Sequence, residues 1–281
     1  MKKILTLILT GLLAVSCCIG LTACKKDTTC CIVENMVLAQ EEYGIAAKKG
    51  NESLIGKINE ALIALADTDY KDVAKDFGLE SELLVTSTTA NPYANATDDS
   101  WEKVVESKEL ILGYTLFAPI AFKDDNAKLT GFDIKLAEKV VAYLNTTYSA
   151  EITLKPIVIE WASKEANLED GTIDLVWNGM TINADRLAGM TISVPYLKNQ
   201  QVAVIRKADV ELYKNAESMK DANVGAEKGS AGESVIKANN IGKNYTSFTS
   251  QLDAYNQLKA GTVDVIVIDS VMANYYISLD K

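Results

Sequence analysis

Residues 170–186 read DGTIDLVWNGMTINADR, a short apolar run followed by a polar one. The apolar run at residues 173–177 predicts a buried strand. The Asn178-Gly179 pair after it is typical of a turn, and the polar residues that follow end in Arg186. The stretch therefore predicts a buried strand that opens into a polar loop.

Strand and helix patterns alternate along the chain on both sides of this stretch. Leu136, Val140 and Leu144 lie on one face of a helix predicted at residues 134–144. Short apolar runs predict strands at residues 110–113, 152–159, 201–205, 223–226 and 263–268, and a further helix is predicted at residues 250–259. Strands that alternate with helices indicate an α/β fold, and 281 residues are enough for two α/β lobes.

Residues 51–77 precede this alternation and have apolar residues at helical spacing. The polar Asp67-Thr68-Asp69 interrupts the spacing, so two helices are predicted, each with one buried face. Residues 86–100 are polar, rich in threonine and asparagine, and contain Pro92. They predict a linker between two structured parts of the chain.

The composition excludes several classes of function. The net charge is −10 and there is no long basic run, which argues against nucleic acid as a partner. The chain has no histidine, so Ser-His-Asp and Cys-His catalysis and histidine metal sites are excluded. All five cysteines lie within the first 31 residues, so the globular part has no catalytic thiol and no disulfide framework. No cofactor and no metal are expected, and the adjacent Cys30 and Cys31 are given no role.

The N-terminus has the pattern of an export signal. Lys2 and Lys3 are followed by an apolar stretch that is too short for a comfortable membrane span. Leu21-Thr22-Ala23-Cys24 resembles a bacterial lipobox, which predicts a lipidated Cys24 and an extracytoplasmic protein anchored to the bacterial cell membrane. Ser16-Cys17 is a weaker alternative, and an ordinary signal-peptide cysteine is another.

Six motifs follow one another between residues 109 and 276. They are GYTLFAPIAF (113–122), GFDIKLA (131–137), EW (160–161) with residues 170–186, SVPYL (193–197), VGAEKGS (224–230) and GTVDVIVID (261–269). In this order they resemble the polar amino-acid family of type II periplasmic solute-binding proteins. The resemblance implies a two-lobed Venus-flytrap fold that closes on a free amino acid and delivers it to an ABC permease, with no enzymatic activity.

The segment that completes such a fold is found at the other end of the chain. Residues 41–79 resemble the family's C-terminal segment, in which a strand crosses the hinge and two helices cover lobe 1. The sequence therefore predicts a circularly permuted fold. Its parts are a signal peptide (1–24), a tether and segment completing lobe 2 (25–42), the displaced strand and helices of lobe 1 (43–85), a linker (86–100), lobe 1 (101–198) and lobe 2 (199–281). The alternative is a domain-swapped dimer in which residues 32–84 complete a neighbouring molecule.

The resemblance also assigns the two residues that bind the charged ends of the ligand. Arg186 is placed at the carboxylate-binding arginine, where a guanidinium donates two parallel hydrogen bonds. A surface arginine is the alternative. Asp269 follows an apolar strand and is expected to bind the ligand ammonium. The alternative role for Asp269 is the N-cap of the following helix.

The remaining site residues are implied by the same motifs. Asn178, Gly179 and Thr181 form the loop that serves both charged ends, although an Asn-Gly pair also fits an ordinary turn. Ser230 begins a lobe-2 helix whose free N–H groups suit a carboxylate, and Ala231 departs from the Ser or Thr common beside it. Two aromatic residues are expected to sandwich the ligand side chain or else to belong to the core: Phe117 and Trp161.

The ligand is expected to be a neutral polar amino acid such as glutamine or cystine. Cation-binding relatives carry an acid near the first strand, where this chain has the uncharged Tyr114-Thr115-Leu116. Three other functions stay open at this point. They are a ligand-sensing module for a membrane signalling partner, a cleft enzyme with Glu160 or Glu227 as its general acid, and a rearranged chain that does not bind.

Overall fold

The computed structural model describes residues 28–280, and these residues form the mixed α/β fold that the sequence predicts. The strands are β1 (Cys30–Lys48), β2 (Glu109–Tyr114), β3 (Phe122–Lys123), β4 (Leu129–Thr130), β5 (Thr153–Val158), β6 (Leu175–Thr181), β7 (Met190–Ile192), β8 (Leu197–Arg206), β9 (Asn223–Glu227), β10 (Asn244–Phe248) and β11 (Val265–Asp269). The α-helices are α1 (Glu52–Ala64), α2 (Asp69–Phe77), α3 (Ser100–Ser107), α4 (Phe132–Tyr148), α5 (Lys164–Glu169), α6 (Ala184–Gly189), α7 (Ala231–Asn239), α8 (Gln251–Ala260) and α9 (Ser270–Leu279). Each strand and helix named from the sequence is present, with ends shifted by a few residues.

Two long antiparallel strands connect the two lobes. Eight strands of the main sheet run in the order β10-β9-β11-β8-β1-β6-β2-β5, and β7 also pairs with β1. We call the part built on β2, β5, β6, β7 and α1–α6 lobe 1, and the part built on β9–β11 and α7–α9 lobe 2. β1 and β8 pair with each other between these parts and contribute to both.

β1 is longer than the hinge crossing predicted from the sequence. Its first residues pair with the end of β8, as in Cys30 opposite Arg206, and its middle reaches Tyr43 opposite Leu197. The register is interrupted between these pairs. Six residues of β1, from Ile32 to Val37, lie opposite only three residues of β8, from Val204 to Val202. The residues beyond Tyr43 then pair with β6 and β7.

Helices α1 and α2 close the core of lobe 1 within the same chain. Leu54, Ile58 and Leu62, the apolar face predicted for α1, are almost completely buried. Tyr70 of α2 is also buried, and its hydroxyl donates a hydrogen bond to the carbonyl oxygen of Tyr196. These contacts pack α1 and α2 on lobe 1, the part of the chain that follows them in the sequence.

Residues 86–99 contain no helix or strand. They nevertheless lie along α1 and bind to it. The Asn91 side chain donates to the carbonyl of Gly56 at 2.8 Å, and the Asp98 carboxylate accepts from the Ser53 amide at 2.7 Å. The segment is therefore held in place by α1.

Residues 30 and 280 lie side by side in lobe 2. The Asp280 carboxylate accepts hydrogen bonds from the Cys30 amide and the Tyr255 hydroxyl and pairs with Lys259 at 2.5 Å.

Cys30 and Cys31 are free thiols, and burial raises the pKa of Cys30 to about 11. Cys17, Cys18, Cys24 and the signal peptide lie outside the described residues. Within residues 28–280, no helix combines the length and apolar character needed to cross a bilayer.

Candidate ligand-binding site

One narrow cavity between the lobes brings together all eight residues that the sequence assigns to the ligand. The residues that line it are Thr115, Phe117, Trp161, Asn178, Gly179, Thr181 and Arg186 from lobe 1 and Glu227, Ser230, Ala231, Gln251 and Asp269 from lobe 2. The cavity volume is about 10 Å³, which is room for roughly one water molecule. The cavity lies where β6, β9 and β11 end, which is the edge at which α/β sheets bind ligands.

Arg186 is buried at the lobe-1 side of this cavity. The Asn183 side chain caps the start of α6 by accepting from the Arg186 amide at 2.9 Å, which fixes the backbone. Nη1 donates to the Thr181 carbonyl at 2.7 Å, and Nη2 reaches across the cleft to the Gly229 carbonyl at 3.3 Å. Since a guanidinium has five N–H groups, donors remain for a carboxylate. The alternative of a surface arginine does not hold, because the side chain is only 8% exposed.

Asp269 is the buried acid at the lobe-2 side. Its carboxylate accepts hydrogen bonds from the Tyr43 hydroxyl at 2.6 Å, from the Gln201 amide at 3.0 Å, and from the amides of Asn199 and Gln251. Burial raises the pKa of Asp269, and these donors act in the opposite direction. The residue occupies the N-cap position of α9, but its side chain makes no capping hydrogen bond. The alternative of a side-chain cap is therefore wrong, and the carboxylate faces the cavity.

The loop at the end of β6 is fixed by contacts with lobe 1. Gly179 has a φ of +59°, and a Cβ there would come within 2.7 Å of the Phe117 ring, so both conformation and space require glycine. The Gly179 amide donates to the buried Asp133 carboxylate at 2.8 Å. The Asn178 side chain forms two hydrogen bonds with Thr115. Its Oδ1 accepts from the Thr115 hydroxyl at 2.8 Å, and its Nδ2 donates to the Thr115 carbonyl oxygen at 3.1 Å.

Ser230 begins α7, as its motif predicts. Its hydroxyl oxygen accepts from the Glu233 amide at 3.2 Å, while the Glu233 carboxylate accepts from the Gly229 amide at 2.6 Å. The pair forms a reciprocal cap that holds the turn before the helix. Because the Ser230 oxygen accepts in this cap, the hydroxyl proton can be donated into the cavity.

Two aromatic rings form the apolar part of the cavity wall. Phe117 and Trp161 are both nearly buried and both line the cavity. The Trp161 ring lies 5.8 Å from the Arg186 guanidinium carbon and 4.8 Å from Lys164 Nζ. Trp177, by contrast, is completely buried in the lobe-1 core.

Glu41 is a buried acid of the hinge that no local pattern in the sequence marks. Its Oε2 accepts from Thr181 Oγ1 at 3.1 Å, from Asn199 at 3.0 Å and from Gln201 at 2.9 Å. Asn199 and Gln201 also donate to Asp269, so two carboxylates share the same amides. Burial and the charge of Asp269 raise the pKa of Glu41 to about 7. The two acids titrate as a pair next to the cavity.

Thr115, Gln251 and Glu227 also line the cavity, although the motifs do not assign them to the ligand. Two of them have a signal in the sequence: Thr115 lies in the stretch where cation-binding relatives carry an acid, and Glu227 is a possible general acid together with Glu160. Glu227 ends β9 with its side chain in the cavity, whereas Glu160 is not among the lining residues. Gln251 is brought in from the start of α8 by the packing of that helix, which its local sequence does not indicate.

The comparisons with known proteins agree with this geometry. Residues 110–266, more than half of the chain, match the family of bacterial extracellular solute-binding proteins, family 3. The L-cystine-binding protein of Escherichia coli K12 is 27% identical over 197 residues, which are 70% of this chain and 71% of that protein. A crystal structure of an ABC uptake transporter substrate-binding protein from Streptococcus pneumoniae with bound histidine has a TM-score of 0.58 and 33% identity, covering 65% of this chain and 74% of that one.

This chain belongs to the family 3 bacterial extracellular solute-binding proteins. The relatives include one enzyme: cyclohexadienyl dehydratase of Pseudomonas aeruginosa is 20% identical over 187 residues, 66% of this chain and 68% of that protein. The fold is thus shared by binding proteins and an enzyme. The residues of the cleft must decide between these functions.

Proposed function

We propose that this protein binds a free amino acid outside the cytoplasm and delivers it to an ABC importer. The observation that carries the proposal is the placement of one buried cation and one buried acid on opposite sides of one cavity. Arg186 of lobe 1 offers N–H donors to a carboxylate, and Asp269 of lobe 2 offers acceptors to an ammonium group. An α-amino acid carries both groups on one carbon, so it satisfies both sides together.

Binding by hinge closure follows from the same arrangement. β1 and β8 connect the lobes, and the Arg186 to Gly229 hydrogen bond already crosses the cleft. A ligand held by Arg186 and Asp269 favours the closed form, because only that form brings both residues to it. The closed form is the state that we propose the importer recognises.

The finer assignments concern ligand and location. We propose a neutral polar amino acid such as glutamine or cystine, because residues 114–116 place no acid beside the aromatic walls. We also propose that Cys24 is lipidated, which would anchor the protein at the outer surface of the bacterial cell membrane. These proposals rest on the sequence motifs.

A thermal-shift screen tests the binding function. The protein from residue 25 onward is expected to be stabilised by one or a few compounds among the twenty amino acids, cystine and ornithine. A ligand at 100 times its Kd adds about 2.7 kcal/mol to the free energy of unfolding, which raises the melting temperature by a few degrees. The absence of any shift across the whole set would contradict the proposed function.

We propose in addition that the segments are circularly permuted relative to the family. Residues 30 and 280 are adjacent in lobe 2, so a short connection between them needs no movement of the fold. Thr88 lies in the exposed part of the linker, where new termini are tolerated.

A reordered chain tests this proposal. Residues 89–280 followed by a short Gly-Ser linker and residues 28–88 are expected to give a monomer that binds the same ligand, with a Kd within about threefold of the natural order, because the described contacts are kept. Light scattering after gel filtration gives the mass, and calorimetry gives the Kd. A dimer of the natural chain that dissociates after the reordering would instead indicate exchange of residues 32–84 between molecules.

A further inference from the structure

Glu227 is a buried carboxyl group in the cleft for which the lobes supply no hydrogen-bond partner. The side chain is 4% exposed and lines the cavity from the end of β9. Within residues 28–280, no group hydrogen-bonds to its Oε1 atom. A buried polar atom without a partner costs about 1–3 kcal/mol, so its retention in a binding cleft indicates a partner that arrives with the ligand.

The charged groups around Glu227 determine its protonation. Burial is the largest influence, and the negative charge of Asp269 acts in the same direction; together they raise the pKa of Glu227 to about 8. Lys164 and Arg186 lower the pKa, and Glu160 raises it. Lys164 and Arg186 do not pair with Glu227 directly: Lys164 pairs with Glu165, and Arg186 donates to two backbone carbonyls. Near pH 7 the Glu227 carboxyl is therefore mostly neutral.

A neutral carboxylic acid has one O–H donor and one carbonyl acceptor side by side. A carboxamide has the complementary pair, since its oxygen accepts and its N–H donates. A carboxylate in the same place would accept the O–H but would turn its second oxygen toward the Glu227 carbonyl, and two acceptors repel. A cationic side chain would be opposed by Lys164 and Arg186, which already place positive charge near this part of the cleft.

We propose that Glu227 recognises the side chain of the ligand through two reciprocal hydrogen bonds. The ligand is then an amino acid with a terminal carboxamide, which is glutamine or asparagine. The inference rests on the proposed function, because Arg186 and Asp269 must hold the α-carboxylate and α-ammonium groups for the side chain to reach Glu227. It goes further by naming the residue that decides specificity. Gln251 and Thr115, which also line the cavity, are uncharged and compatible with a neutral ligand.

Calorimetric titrations of the wild type, Glu227→Gln and Glu227→Leu with glutamine, asparagine, glutamate, lysine and cystine test the inference. The glutamine side chain keeps one donor and one acceptor, so Glu227→Gln is expected to bind the carboxamide ligand within about threefold of the wild type at pH 7. Glu227→Leu is expected to lose about 10- to 100-fold, because the ligand amide is left without partners. Both variants remove the buried acid, so they form a matched pair that differs in hydrogen bonding.

The pH dependence gives a second readout. A group with a pKa of about 8 is about ten-elevenths ionised at pH 9, so the wild type is expected to lose about tenfold in affinity between pH 7 and pH 9 relative to Glu227→Gln. Taking the ratio to Glu227→Gln removes the titration of the free ligand's ammonium group, which both proteins share, from the comparison.

Three results would overturn the inference. The first is a preference of the wild type for lysine, arginine or ornithine that Glu227→Gln abolishes, because Glu227 would then act as an ionised partner. The second is that the wild type binds an amino acid other than glutamine or asparagine and that Glu227→Leu binds it with the same Kd. The proposed function would then be supported, but Glu227 would have no role in specificity. The third, binding of none of the amino acids by the wild type, would remove the proposed function together with this inference.

Discussion

Arg186→Ala is expected to abolish amino-acid binding under ordinary assay conditions, with the Kd raised by about 100- to 4,000-fold. Among the described residues that line the cavity, Arg186 supplies the only guanidinium, and its removal leaves a buried carboxylate without a partner. Breaking one side of a buried ion pair costs about 3–5 kcal/mol, and each 1.4 kcal/mol is a factor of ten. Calorimetry with the ligand from the thermal-shift screen measures the change.

The chain provides a matched control for this variant. Arg206 is the only other arginine, it is also buried, and its Nη1 donates to the carbonyls of Leu258 and Val263 at 2.9 and 2.7 Å, away from the cavity. Arg206→Lys is expected to lower the free energy of unfolding while the folded protein keeps its Kd. Equal loss of affinity in both variants would mean that Arg186 acts through stability and not through the ligand.

Asp269→Asn is expected to weaken binding by about 30- to 1,000-fold. The amide has nearly the same shape and can still accept from Tyr43 and Gln201, so the fold should be kept. The negative charge that balances the ligand ammonium is lost, and truncating one partner of a buried charged pair costs about 2–4 kcal/mol. The Kd by calorimetry and the melting temperature without ligand separate the two effects.

Asp264→Asn serves as the control for this second variant. Asp264 precedes β11 at the end opposite to Asp269, and its carboxylate accepts from the Asn223 amide at 3.0 Å and pairs with Arg206 at 3.3 Å. It does not line the cavity. The variant is expected to change stability and leave the Kd unchanged, and a wild-type Kd in Asp269→Asn would reject Asp269 as the ammonium partner.

The sequence predicts best those residues whose role depends on local context. Asp269 ends an apolar strand, so the α/β pattern places it at the binding edge, whereas Arg186 is assigned by the family resemblance because its polar surroundings in the sequence also fit a surface arginine. Their neighbours cannot be predicted in this way. Glu41 meets Asn199 because β1 and β8 pair at a particular register across 158 positions of sequence. Such a register is fixed by tertiary packing, which no local pattern records.

The burial and the hydrogen bonding of single atoms also cannot be predicted from the sequence. The sequence shows Glu227 only as an acid near a glycine-containing turn, and the general-acid hypothesis gives it no partner. Its importance depends on one carboxyl oxygen that no neighbour among residues 28–280 satisfies and on the summed charges of residues from both lobes. These quantities exist only once the lobes are assembled.

The position of β1 at the start of the chain has a consequence for biosynthesis. Most of the lobe-1 core comes from one stretch that begins near Tyr43 and ends near Leu197, with Val271 and Met272 of α9 added to it, whereas lobe 2 needs both the first residues of β1 and the last strand, β11. Domains fold as they emerge, from the N-terminus onward. Most of lobe 1 can therefore form before the last part of lobe 2 is synthesised, and the first half of β1 has no strand to pair with until β8 has been made. Until then this half of β1 is an exposed edge, the kind of strand that pairs with strands of other chains.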